Sequence, residues 1–131
     1  MFYGQGYAGA ATRRYAAVHA GGRIEGASPH ALVKILFDEL LLAMDAAALA
    51  ERQGDRAKAS DKHARALSIL HALETSLDFD RGGEIAVGLA QIYREARRLL
   101  IVGAQQRSAD EVMKARGIIA EIAEAWNQIG N

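Results

Sequence analysis

Apolar residues recur in alternating steps of three and four along most of this chain, which is the spacing of one face of an α-helix. Four such rows follow one another. They run through Val33, Leu36, Leu40, Ala43, Ala47 and Ala50; His63, Ala66, Leu70, Leu73 and Leu77; Ile85, Leu89, Ile92, Ala96, Leu99 and Gly103; and Val112, Ala115, Ile119, Ile122, Trp126 and Ile129. No alternating run of β-branched residues lies between turn residues, as is typical of strands. The pattern therefore predicts four helices and no sheet.

Capping signals set the expected limits of these helices. Ser28 is a good N-cap, and Pro29 takes the first helical position, where its missing N–H is no loss. Gly54 supplies a stop for the first helix, and Asp55 can cap the second. Residues 108–111 read Ser-Ala-Asp-Glu, a capping box in which the serine and glutamate side chains satisfy each other's free backbone donors.

Residues 76–85 form the predicted turn between the second and third helices. Two adjacent glycines at residues 82–83 are expected to stop the second helix, since glycine tolerates the conformations that end helices. Glu84 is expected to open the third, because a carboxylate is favourable near the positive end of a helix dipole. Asp78 and Asp80 flank this turn, where solvation or capping explains them better than a catalytic pair does.

Four helices of about 20 residues, each roughly 30 Å long and joined by short connections, pack most simply as antiparallel neighbours. We therefore predict an all-α, antiparallel up-down four-helix bundle over residues 28–131. Residues 1–27 are predicted to form a flexible N-terminal tail and flap, because their first half buries too little apolar surface to order itself. Within that segment Tyr15, Val18 and Ile24 have apolar side chains that can pack, and we expect them to lie on the bundle as the N-terminal flap.

The charge balance narrows the range of partners. Sixteen basic and sixteen acidic residues among 131 give a net charge of zero, which offers nucleic acid or an anionic membrane no long-range attraction. Arg94, Arg97 and Arg98 form a basic patch, but Glu95 interrupts it and no aromatic stacking platform accompanies it. No apolar run reaches a membrane span, and the N-terminus does not resemble a signal peptide. We expect a cytoplasmic protein that holds its partner by apolar contact.

The chain lacks the spacings that bundle enzymes and metal proteins use. It has no cysteine, no Glu-x-x-His or His-x-x-x-His pair, and no Gly-x-Ser-x-Gly elbow. His63 lies in an apolar row, where a packed or rim histidine is expected more often than a metal ligand. We therefore predict no catalytic, cofactor-binding or metal-binding residues, and a protein that is not an enzyme.

Apolar residues exceed what the four rows account for. A second stripe on the third helix holds Ala86, Tyr93 and Leu100, and the first helix has a similar surplus at Phe37, Leu41, Met44 and Ala48. Such residues indicate either a wide core-facing stripe or a groove for the amphipathic helix of a partner, with the flap covering the groove when it is empty.

On the second interpretation, the groove lies on the second and third helices around their turn. Its predicted residues are Leu73, Leu77, Ile85, Leu89, Ile92 and Tyr93. Tyr93 is expected to stand outside the core, because its stripe is offset from the row at Leu89 and Ile92, so that Tyr93→Glu should leave the bundle folded.

Two spaced motifs and a late dipeptide carry a resemblance to a known family. They are Ala-Ser-Pro-His at residues 27–30 with Leu32 and Leu-Phe-Asp at 36–38; Ser-Leu-Asp at 76–78 with Gly-Gly-Glu-Ile-Ala at 82–86, Leu89, Ile-Tyr at 92–93 and Arg98; and Ala-Trp at 125–126. Together they resemble the flagellar secretion chaperone FliS family. The chain departs from the pattern at Glu39, at residues 94–96, and at Leu99 and Ala104.

The resemblance implies a cytoplasmic export chaperone. Such a protein binds the disordered C-terminal segment of flagellin, prevents premature polymerisation, and delivers the flagellin to the flagellar type III export apparatus. Components of the export gate are further implied partners, and a monomer or weak homodimer is expected. The alternative is a non-catalytic structural or dimerising bundle that buries its surplus stripes against a copy of itself.

Overall fold

A computed structural model describes residues 26–129 as four helices in sequence. They are α1 (Pro29–Gln53), α2 (Arg56–Thr75), α3 (Phe79–Gln106) and α4 (Ala109–Gln128). Each helix packs against two others, so that α1–α2–α3–α4 close a ring in which α4 returns to α1. Because the connections between consecutive helices are only a few residues long, neighbours in the ring are antiparallel. The predicted up-down four-helix bundle is confirmed.

The helix ends follow local capping chemistry. Ser28 Oγ accepts the N–H of Ala31 at 3.1 Å, with Pro29 at the first helical position. Gly54 ends α1 in the left-handed region at φ 72°, and Asp55 Oδ1 then accepts the N–H of Lys58 at 3.1 Å. These three signals were readable in the sequence, and all three predicted caps are confirmed.

The predicted capping box at the start of α4 forms only in part. Ser108 Oγ accepts the N–H of Glu111 at 3.3 Å, but the Ser108 N–H donates to the carbonyl of Gly103 at 2.9 Å. The Glu111 carboxylate accepts from Lys114 instead. Because the connection between α3 and α4 is so short, the Ser108 N–H bonds to the last turn of α3 while the Ser108 side chain caps the first turn of α4.

The turn between α2 and α3 differs from the prediction. Thr75 is the last residue of α2, and Asp78 Oδ1 accepts the N–H of Arg81 at 3.1 Å as the N-cap of α3. Gly83 lies inside α3 with φ 51° and ψ −127°, a non-helical conformation that kinks the helix. The expectation that the two glycines stop α2 is therefore wrong. The aspartate starts the new helix before the chain reaches them, and the freedom of glycine serves a kink.

The core-facing side of α3 differs from the expected one over the first half of the helix. The second stripe is buried, and Tyr93 is fully inside the core at 0% exposure. Only the first half of the row that was expected to face inward is at the surface: Ile85 is 71% exposed, and Leu89 and Ile92 are half-buried. The second half of that row, Ala96, Leu99 and Gly103, is buried as expected. The expectation that Tyr93 stands outside the core is wrong, since its ring is one of the largest side chains enclosed by the bundle.

On α1 the surplus apolar residues lie in or against the core. Phe37, Met44 and Ala48 are buried, and Leu41 packs against the core from its edge. The wide core-facing stripe is thus the correct interpretation for this helix. Leu42, by contrast, points outward and is 61% exposed.

Ion pairs join three of the four helix interfaces. Arg65 of α2 donates to Glu39 of α1 at 2.7 Å, Arg116 of α4 donates to Asp45 of α1 at 2.9 Å, and Arg97 of α3 pairs with Glu74 of α2. Because these pairs lie at or near the surface, each is expected to stabilise the fold only a little. A separate finding is that none of the helices in residues 26–129 is long and apolar enough to cross a membrane.

Candidate functional site

An open apolar groove lies between the N-terminal part of α3 and the C-terminal part of α4. Its volume is about 350 Å³. Its walls are formed by Arg81, Gly82, Ile85, Leu89, Ile122, Ala125, Trp126 and Ile129. Arg81 is the only charged residue among them, so the groove offers a partner mainly hydrocarbon contact.

Helical spacing arranges the two walls of this groove. Ile85 and Leu89 are one turn apart on α3, just beyond the kink at Gly83. Ile122 and Trp126 are one turn apart on α4, and Ile129 follows the end of that helix. Ile85 and Ile129 are 71% and 67% exposed. Contiguous exposed aliphatic surface of this kind marks a site for binding another molecule more often than an isolated exposed residue does.

Trp126 gives the groove a fixed end wall. Its indole stacks on the imidazole of His30 with ring centroids 4.5 Å apart and 8° between the planes. Two reciprocal hydrogen bonds lock the pair: Trp126 Nε1–H donates to the His30 carbonyl at 3.0 Å, and His30 Nε2–H donates to the Trp126 carbonyl at 2.9 Å. Phe37 meets the indole edge-on at 6.3 Å. The start of α1 therefore holds the end of α4 in place.

The structure brings together only part of the groove that we predicted. Ile85 and Leu89 line it, and Ile92 is half-buried on the same helix outside the lining. Leu73, Leu77 and Tyr93 are in the core, so α2 contributes no wall. The predicted N-terminal flap residues Tyr15, Val18 and Ile24 lie outside the described residues.

Sequence reasoning missed the α4 wall. Ile122, Trp126 and Ile129 were read as one continuous core-facing row, but only Trp126 of these three is buried. Nothing in the spacing separates these three residues, because they fall in one helical row.

A second, polar cavity of about 260 Å³ lies at the opposite end of the bundle. His63 and Glu51 line it and are both largely buried, and the His63 Nε2–H donates to Glu51 Oε2 at 3.0 Å. His63 is thus a packed histidine with a carboxylate partner. No cluster of three or more histidine, aspartate or glutamate side chains suited to a metal ion occurs in the part of the chain that the structure describes.

The basic patch on α3 is partly neutralised. Arg97 pairs with Glu74, and Arg98 donates to both carboxylate oxygens of Glu95, at 3.0 and 2.7 Å. These hydrogen bonds lower the pKa of Glu95 and raise that of Arg98. Two of the three guanidinium groups are therefore committed to carboxylates, which favours a solvated helix face over a nucleic-acid site.

Comparison with known proteins assigns the chain to a family. The family model described as flagellar protein FliS matches residues 11–131. The flagellar secretion chaperone FliS of Salmonella typhimurium is 33% identical over 124 residues, covering 94% of this chain and 92% of the relative. The proteins of the same name from Vibrio cholerae and Escherichia coli are 27% and 26% identical, covering 88% and 93% of this chain and 85% and 90% of those relatives. The chain belongs to the FliS family of flagellar proteins.

Proposed function

We propose that this protein is a cytoplasmic export chaperone that binds the disordered C-terminal segment of flagellin in the groove between α3 and α4. The observation that carries the proposal is the exposed aliphatic surface of Ile85 and Ile129 beside the rigid wall of Trp126. Membership of the FliS family supports it, since the relatives are named flagellar secretion chaperones. The groove needs no catalytic group to perform this task.

Binding would follow the physics of a helix in a groove. An amphipathic segment places apolar residues at steps of three and four into a cleft between two helices. Burying a large aliphatic side chain such as Ile85 or Leu89 stabilises a complex by about 1.5–3 kcal/mol for each one. A disordered client must be ordered as it binds, which offsets part of this gain and keeps the complex reversible.

Reversibility suits a chaperone that must release its client. While the segment is held, its apolar face is covered and cannot pair with another flagellin molecule in the cytoplasm. Release at the flagellar type III export apparatus then requires only that a competing contact removes the segment from an open groove. Components of the export gate would supply that contact, and the chaperone acts as a monomer or weak homodimer.

The flap completes the proposal. Tyr15, Val18 and Ile24 are large apolar residues that precede α1, and they would cover part of the groove until flagellin displaces them. The empty groove would then be shielded from contact with other proteins. Client binding would become an exchange of one apolar segment for another.

The test compares two exposed aliphatic residues on different faces. Ile85→Asp places a charge in the groove, whereas Leu42→Asp places one on the outward face of α1, where the residue is similarly exposed. We expect Ile85→Asp to weaken binding of a flagellin C-terminal peptide at least tenfold in titration calorimetry, about 1.4 kcal/mol. Leu42→Asp should leave the affinity unchanged, and both variants should melt close to the parent. Equal affinity for the two variants would exclude this groove as the flagellin site.

Light scattering with and without the peptide separates the chaperone from the dimerising bundle. A chaperone forms a complex with its client at a defined stoichiometry. A tight homodimer that resists the peptide would instead support the structural bundle.

A further inference from the structure

Exposed carboxylates stand beside the apolar groove. Asp80 and Glu84 are exposed on the first turns of α3, and Glu121 is exposed on α4. None of these three makes an ion pair within residues 26–129. Glu124, also exposed, accepts a hydrogen bond from the neutral amide of Gln128.

Their place in the helices puts them next to the groove wall. Glu84 directly precedes Ile85, and Glu121 directly precedes Ile122. Adjacent residues of an α-helix are separated by about 100° around its axis. Because Glu84 and Glu121 are both exposed, each carboxylate lies on the solvent side of a wall residue, next to the groove and outside its apolar lining.

Cations do not balance these acids locally. Among the described residues Arg81 is the one cation that lines the groove, and its guanidinium lies 3.9 Å from the carboxylate of Asp78. Among the described cations without an ion pair, Arg52, Arg56, Lys58 and Arg107 lie at the other end of the bundle, and Arg94 lies midway along α3. Because the whole protein has equal numbers of acidic and basic residues, the negative rim is a local arrangement and not a general acidity.

We propose that the α3–α4 groove selects an apolar helical segment that carries lysine or arginine beside its apolar row, and that Glu84 and Glu121 are the residues that select it. The inference takes the position of the client from the proposed function and adds the charge of the client. Exposed ion pairs contribute little affinity, but carboxylates on the rim speed the approach of a basic segment and repel an acidic one. The apolar floor provides most of the binding affinity, and the carboxylates on the rim provide the selectivity between clients.

The experiment uses two synthetic helical peptides with the same apolar row, one flanked by lysine and the other by glutamate. Binding of each to the full chain is measured by fluorescence anisotropy at low ionic strength and at about 0.5 M salt. We expect the lysine peptide to bind about five- to tenfold more tightly at low salt, with most of this preference lost at high salt. A Glu84→Gln/Glu121→Gln double variant should bind both peptides with nearly equal affinity.

A matched control removes two carboxylates elsewhere. Asp61→Asn/Asp110→Asn lowers the total negative charge by the same amount, at exposed positions away from the groove. It should keep the preference for the lysine peptide. Equal binding of both peptides by the parent, or a preference that survives in the Glu84→Gln/Glu121→Gln variant, would overturn the selection while leaving the groove as the flagellin site. If Ile85→Asp also fails to weaken binding of the lysine peptide, both the proposed selection and the assignment of the groove as the flagellin site are wrong.

Discussion

Gly103 of α3 lies against Val112 of α4 so closely that a Cβ atom on the glycine would stand 3.0 Å from Val112 Cγ2. The same atom would be 3.2 Å from the backbone oxygen of Ser108, which cannot move aside as a side chain can. The two helices meet here just before their short connection. Gly103 thus sets how near α3 and α4 approach at the end of the bundle opposite the groove.

Gly103→Ala should destabilise the bundle by about 1–3 kcal/mol, because the added methyl group overpacks this contact. Gly117→Ala is the matched control, since it lies inside α4 with open space around its position. There the better helix propensity of alanine should stabilise the fold by about 0.5–1 kcal/mol. Urea unfolding followed by circular dichroism measures both. If the two variants shift the midpoint in the same direction, the close approach does not limit packing.

Tyr93→Ala should lower the free energy of unfolding by about 3–5 kcal/mol, because it removes a large, fully enclosed ring. Ile92→Ala, at the half-buried position next to it, should cost much less. Thermal and urea melts of the two variants provide the comparison. Tyr93→Glu is now expected to unfold the bundle, since it places a charge inside the core. A stable Tyr93→Glu variant would contradict the enclosed position.

Trp126→Phe should cost about 0.5–1.5 kcal/mol, since the ring is largely kept while the hydrogen bond to the His30 carbonyl is lost. Trp126→Ala removes the ring as well and should cost about 3–5 kcal/mol. Because Trp126 is the only tryptophan, its emission also reports on the stack. His30→Ala should change that emission, which a histidine without ring contact would not do.

A chain that begins at Gly26 tests the flap. Removing Tyr15, Val18 and Ile24 should increase the binding of an apolar dye and should change the affinity for a flagellin peptide, because the groove is then uncovered. Circular dichroism establishes that the bundle remains folded, and Ile85→Asp in the short chain shows whether the dye occupies the groove. Unchanged dye binding and peptide affinity in a folded short chain would remove the flap from the proposal.

The sequence by itself determined the number, order and approximate limits of the helices, and with them the bundle. These depend on contacts within a few residues: Ser28 and Asp55 cap the helices that follow them, and Gly54 ends α1 where a left-handed conformation is needed. The family resemblance was also carried by local motifs, and the match of the family model to residues 11–131 confirms it. The division of the chain at residues 27 and 28 stays a prediction.

Only the tertiary structure decided which side of α3 faces inward. Both stripes of α3 are apolar, so their spacing alone does not tell which one faces the core. The row with Ala86 and Ala90 faces the core, where small side chains let the neighbouring helices approach and leave room for the ring of Tyr93. Ile85 and Leu89 are thereby turned toward α4 and the solvent, where they meet Ile122 and Trp126, more than thirty residues away in sequence. The groove is a consequence of that rotation, which depends on the packing of all four helices at once.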